Sequence, residues 1–119
     1  MEKKLVFNTL KKLTEYVDME KIKDQKFAEK MFLKADIFAS IAFIKEFYHY
    51  SKLSNIQYIE LENDSFELDY TLEDIDDEES VILAYTLNKK RVTSISKIFE
   101  NADPIEAEIS KKYGIKFVN

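Results

Sequence analysis

The sequence predicts an α+β fold in which N-terminal helices, with a long central helix among them, pack on an antiparallel β-meander and a short C-terminal helix follows. Three patterns carry that expectation. Apolar residues recur at helical spacing through the first 50 positions and concentrate in Ala35–Ile44. Phe66, Leu68, Tyr70 and Leu72 then alternate with Glu67, Asp69, Thr71 and Glu73, and Asp103-Pro104 and Gly114 bracket a last helical stretch. At 119 residues the chain is expected to form a single domain, 1–119, which can bury roughly two thirds of its unfolded surface.

Val6, Leu10, Leu13 and Val17 mark one face of a first amphipathic helix, with Lys3, Lys4, Lys11 and Lys12 on or beside the other. The spacing predicts a second helix from after Asp24, an acceptable N-cap, through Phe27, Met31 and Phe32 to Tyr50, a span of about 40 Å that allows for a kink. Inside it Ala35, Ala39 and Ala42 offer a small-residue stripe to another helix, while Phe38, Ile41 and Ile44 would reach a sheet. A helix apolar most of the way round is expected to be buried. Lys34, Asp36, Lys45 and Glu46 interrupt or bound the run, which excludes a membrane span. His49, the only histidine, falls at the expected helix end, where a cation suits the dipole; no orienting partner marks it as catalytic.

After Ser54-Asn55 the period changes to two. A two-residue turn at Asn63-Asp64 would join Tyr58–Glu62 to Phe66–Glu73 as a hairpin, with Leu61 opposite Phe66 and Ile59 opposite Leu68 on the inner face. Ser80–Leu87 and Val92–Ile98 read either as two more strands of a meander or as a helix. The β-branched run Val92-Thr93-Ser94-Ile95-Ser96 favours strands. Asp103-Pro104 opens the last helix, Gly114 closes it, and Ile115–Val118 either adds an edge strand or packs.

Composition limits the chemistry. The chain has no cysteine, one glycine and one proline, against average usage of about 7% and 5% for the last two. Thiolate metal sites and glycine-rich phosphate loops are therefore excluded. Met1–Asn8 lacks a sustained apolar run, so no secretory signal is expected and a cytoplasmic location is. The sequence carries no catalytic signature, and an enzyme is not expected.

Charge is the most informative feature. Eleven of the 23 acidic residues lie between Leu53 and Asn88, a stretch without lysine or arginine, whereas the flanking segments are net basic. The two-residue turn would set Glu60 directly against Glu67 on the outer face, an unfavourable pairing, with Glu62, Asp69 and Glu73 beside them. Part of such a face is ordinary solvation. The functional expectation is a small inhibitor or immunity-type module that binds a basic protein surface, such as that of a nucleic-acid-binding protein, through Glu60, Glu62, Glu67, Asp69 and Glu73, with Tyr58 as an anchor.

No cofactor, metal or membrane contact is expected, and the oligomeric state is left open. Asp74–Glu79 fits a calcium loop poorly, because Glu79 stands where the turn glycine belongs and Tyr85 where the bidentate glutamate belongs. The alternative is a small DNA-binding regulator. Ala107–Ile115 resembles the first helix and turn of a helix-turn-helix, and Lys89, Lys90, Arg91, Lys111 and Lys112 could meet phosphates, although net charge −5 makes nucleic acid the less favoured partner.

Overall fold

The computed structural model describes residues 29–33, 36–76 and 78–119. The expected first helix and the expected start of the second at Asp24 lie outside these residues. Along the described chain the elements are β1 (Glu29–Leu33), α1 (Ile37–Tyr48), β2 (Lys52–Glu60), β3 (Phe66–Asp74), β4 (Glu79–Leu87), β5 (Arg91–Thr93), α2 (Ala102–Tyr113) and β6 (Lys116–Val118). They form an α+β structure with a mixed four-stranded sheet ordered β1-β4-β3-β2, a two-stranded sheet of β5 and β6, and two helices among the described residues.

The long second helix is not formed as expected. Residues 29–33 are a strand parallel to β4, with Met31 beside Leu83 and Phe32 beside Ala84. The break comes at Asp36, whose backbone is extended (φ −61°, ψ 128°) and whose Oδ1 accepts the Ala39 amide at 2.8 Å, while Ser40 Oγ donates to the Asp36 carbonyl at 2.6 Å. An aspartate that interrupts an apolar run is thus a start signal, because its short side chain satisfies an otherwise orphaned helical N–H. The buried stripe of α1 is Ile37, Ile41 and Ile44, while Ala39 faces outward and Ala42 is half-buried; Ala35 lies outside the described residues. His49 ends the helix in the left-handed conformation (φ 59°). Lys45 in the last turn donates to the Ile98 carbonyl at 2.6 Å and lies over the Phe99 ring.

The expected four-stranded meander is reduced to three strands, β2, β3 and β4, and the parallel β1 completes the sheet. Its inner face contributes Leu53, Ile56, Phe66, Leu68, Tyr70, Leu72, Val81, Leu83 and Tyr85 to one core cluster with the isoleucines of α1. At roughly 1.5–3 kcal/mol for each fully buried large apolar side chain, this cluster is the main source of stability.

Val92–Ile98 is strand only as far as Thr93. The reason is Glu106 of α2, which is buried and accepts Ser94 Oγ at 2.6 Å and the Ile95 amide at 2.9 Å. These bonds pull the chain out of a ladder and into turns, where the amides of Ile98 and Phe99 both donate to the Ile95 carbonyl. Ala102–Tyr113 then forms α2 with Asp103 inside the first turn rather than at the cap, and Gly114 (φ 72°) closes it. No recognition helix follows among the described residues, since Lys116–Val118 is a strand parallel to Arg91–Thr93. The helix-turn-helix expectation fails there.

Burial holds the Glu106 carboxyl above its usual range, while Ser94 and the Ile95 amide act in the opposite direction. Glu106→Ala strips two buried donors of their acceptor and should cost roughly 2–5 kcal/mol in urea unfolding, with Glu106→Gln costing less because one oxygen remains. A loss below about 0.5 kcal/mol in Glu106→Ala would refute these bonds.

Candidate functional site

The expected acidic face depends on hairpin register, and the register differs by one residue. Asn63 (φ 59°) and Asp64 (φ 61°) do form a tight left-handed turn closed by the Ser65 amide on the Glu62 carbonyl at 3.2 Å. The Leu61 amide then donates to the Ser65 carbonyl at 3.0 Å, which adds a residue to one side of the hairpin. As a result Glu60 pairs with Phe66, Ile59 with Glu67, Tyr58 with Leu68 and Gln57 with Asp69. The opposed Glu60 and Glu67 do not exist. A slip of one residue exchanges the faces of the whole strand, so Ile56 and Tyr58 turn inward in place of Ile59 and Leu61.

The outer face of β3 is not wet either. Glu67 and Asp69 are 6% and 5% exposed, because β3 lies between β2 and β4 and its carboxylates are drawn under Lys30 of β1. Lys30 Nζ reaches across β4 to Asp69 Oδ2 at 2.8 Å and Glu67 Oε2 at 3.0 Å, and it lies 4.8 Å from the centre of the Phe32 ring. Ala84, which pairs with Asp69 on one side and Phe32 on the other, presents only a methyl group beneath that path. Of the other expected docking acids, Glu73 stands 3.7 Å from Lys52, while Glu60 and Glu62 are exposed at the opposite end of the hairpin. The five acids are therefore not one surface.

Tyr58 belongs to a different arrangement. Its ring stacks on Tyr113 at 3.9 Å between centroids and 9° between planes, and on Phe66 at 5.5 Å and 19°. The three rings run from the buried sheet face to the C-terminal end of α2, where Tyr113 is 38% exposed. Lys90 Nζ donates to the Tyr113 carbonyl at 3.0 Å and fixes that helix end. Burial and then the Glu60 carboxylate raise the Tyr58 phenol. An apolar end face with Glu60 at its rim can bind a protein surface. Sequence reasoning missed Tyr113; the one available signal was an aromatic residue immediately before the closing glycine.

Elsewhere, the β3–β4 turn carries Ile75 at 61% exposure beside Asp74, whose Oδ1 accepts the Asp76 amide at 3.1 Å. A cavity of about 420 Å³ lies against α2 and β6, lined by Ser94, Ser96, Glu106, Ser110 and Phe117 among others. Among the described residues no group of three or more His, Cys, Asp or Glu side chains could hold a metal ion, and no helix is long and apolar enough to cross a membrane.

Comparison with known proteins gives a family. The model of the respiratory-chain NADH dehydrogenase 30 Kd subunit matches residues 31–119. Among solved structures, the trypsin-resistant fragment (1-134) of Nqo5 superposes with a TM-score of 0.76 at 13% identity, over 98% of this chain and 96% of that one. A chain of the membrane-bound sulfane sulfur reductase, an archaeal respiratory membrane complex, superposes with a TM-score of 0.75 at 14% identity, over 96% of this chain and 69% of that one. At these identities the two structures show a shared fold. No curated protein sequence matches. The family match overturns the free inhibitor or immunity-type module, its basic protein partner and the DNA-binding alternative, because the family is that of a subunit of a respiratory enzyme complex. The cytoplasmic location and the absence of a membrane context are overturned with them.

The register is directly testable. Glu67→Lys sets a second ammonium beside Lys30 in a buried position and should cost roughly 3–5 kcal/mol. Glu60→Lys, on the exposed rim, should stay within about 0.5 kcal/mol of wild type. Equal melting of the two variants would mean that the strands pair in the other register.

Proposed function

Because the chain belongs to the family of the respiratory-chain NADH dehydrogenase 30 kDa subunit, we propose that it works as a non-catalytic subunit of a membrane-associated respiratory complex, held at the membrane by neighbouring subunits. The observation that carries this reading is the family match over residues 31–119, which takes in nearly all of the described structure. The superposed chain of the sulfane sulfur reductase adds that this fold occurs in a respiratory membrane complex. A docking role also fits the chemistry of the chain: the one histidine is an exposed helix cap, and the buried acids are tied up in structural contacts.

The docking surface is the aromatic end face. Tyr58 and Tyr113 supply a rigid apolar patch, and Glu60, whose carboxylate acts on the Tyr58 phenol, stands at its polar rim, the division of labour that stable interfaces use. Stacking holds Tyr113 in place before any partner arrives, so little side-chain entropy is lost on binding.

Two measurements test this. In membranes solubilised with mild detergent, the tagged full chain should migrate in a native gel as part of a large assembly whose other members are redox-protein subunits. Recovery of the chain alone, from the soluble fraction, would sink the assignment. Within the assembly, Tyr113→Asp should lower incorporation at least about tenfold while the chain remains folded, the equivalent of roughly 1.4 kcal/mol. Full incorporation of that variant would move the interface elsewhere without touching the family assignment.

A further inference from the structure

The cluster of Lys30, Glu67 and Asp69 holds a feature that docking does not use. Asp69 is 5% exposed, and only one of its oxygens has a partner: Oδ2 receives Lys30 at 2.8 Å, while the buried Oδ1 receives no hydrogen bond. A bare carboxylate oxygen without a donor is among the most costly groups to bury. A protonated Asp69 carboxyl becomes a donor, and the Glu67 carboxyl lies within hydrogen-bonding reach of it, since Asp69 Oδ2 and Glu67 Oε2 meet the same Lys30 Nζ. The geometry is that of two acids placed close enough to share one proton beneath the Lys30 ammonium.

We propose that the Glu67–Asp69 pair under Lys30 is a buried proton-binding site that ties the tightness of the β1–β4–β3 face to proton uptake and release. This goes beyond the proposed docking role and does not rest on it. The described groups that face the site are Lys30 from β1, Glu67 and Asp69 from β3, the un-ionisable Ile82, Ala84 and Thr86 from β4, and Gln57 and Ile59 from β2. Burial first, and the Glu67 carboxylate next, push Asp69 up to about 7 against the pull of Lys30. Burial pulls Lys30 down, yet its hydrogen bonds to Asp69 and Glu67 leave it raised, so the lysine stays charged throughout.

The direction follows from which state binds the proton. Below about pH 4 an aspartate is protonated folded or unfolded, and the site contributes no pH dependence. Between about pH 4 and 7 the folded chain keeps a proton that the unfolded chain has lost, so the folding constant falls by up to about tenfold per pH unit and levels off above. Asp69→Asn preserves the shape and removes the titration. The stability of that variant relative to wild type, from urea unfolding of the full chain, should therefore climb with pH over this window, by roughly two to three decades in total, and then flatten. A ratio that is constant between pH 4 and 8 overturns the proposal.

A second readout needs no variant. In carboxyl-carbon NMR of the wild-type full chain, the upper titration step of the pair should fall near 7 and be sensed at both Glu67 and Asp69. Both carboxyls titrating below about pH 5, as ordinary surface acids do, overturns it as well.

Discussion

A central strand whose side chains alternate between apolar and acidic must bring a cation to the acids, since both of its faces are covered. In this fold that cation is Lys30, which reaches from β1 over β4 to Asp69 and Glu67. The contact fixes more than two charges. It needs β1 alongside β4 in parallel register, so that Lys30 falls level with Ile82 and two residues short of Ala84, and it needs a small side chain at Ala84 to leave the path open. Breaking one partner of a buried pair is far more costly than never having buried it, which makes this cluster a strong selector of one strand arrangement.

From that constraint the rest follows in sequence. A strand at 29–33 leaves little chain before the helix, and Asp36 starts α1 at once by capping it. The inner face opposite Lys30 carries Met31 and Leu33, which join the isoleucines of α1 in the core. On the far side of the sheet, Asn101 Nδ2 donates to the Leu53 carbonyl at 2.8 Å and ties the start of α2 to β2. Glu106 then holds the chain between β5 and α2. Glu67 and Asp69 on β3 and Glu106 on α2 thus each draw chain from a distant element toward a buried carboxyl.

The legible part of the sequence was the part encoded locally. The alternation from Phe66 to Glu73 is a strand, and Pro104 and Gly114 bracket a helix, because each pattern is complete within a few residues. What was not legible depends on distance. Lys30 and Glu67 are 37 positions apart, and no periodicity shows that one will neutralise the other. With that partner unseen, Met31, Phe32 and Ile41 fall at spacings that a helix also fits, and a strand of only five residues is too short to show its own period. The hairpin failed for a subtler reason. Asn63-Asp64 was identified as the turn and forms one, but a single additional bond from Leu61 to Ser65 shifts the register and exchanges the faces of β2. The expected docking acids were lost through that shift and through burial, while Tyr58 stayed near the surface for a reason the sequence did not display: a stack with a tyrosine of the last helix.

These corrections alter what the acidic composition means. An excess of eleven acids between Leu53 and Asn88 looked like a field for capturing a basic partner. Once folded, Glu67 and Asp69 are inside, Glu73 is beside Lys52, Asp74 is buried in its own turn, and Glu60 remains at the rim of an aromatic patch. A free inhibitor that relies on long-range attraction needs its charge on one accessible face, because exposed charges are screened within about 10 Å at ordinary ionic strength. A subunit that stays in a permanent assembly has the opposite need: a preformed apolar patch, a modest polar rim, and acids spent on holding the fold. The distribution of charge over buried and exposed positions, rather than its total, is what speaks against long-range capture of a basic partner.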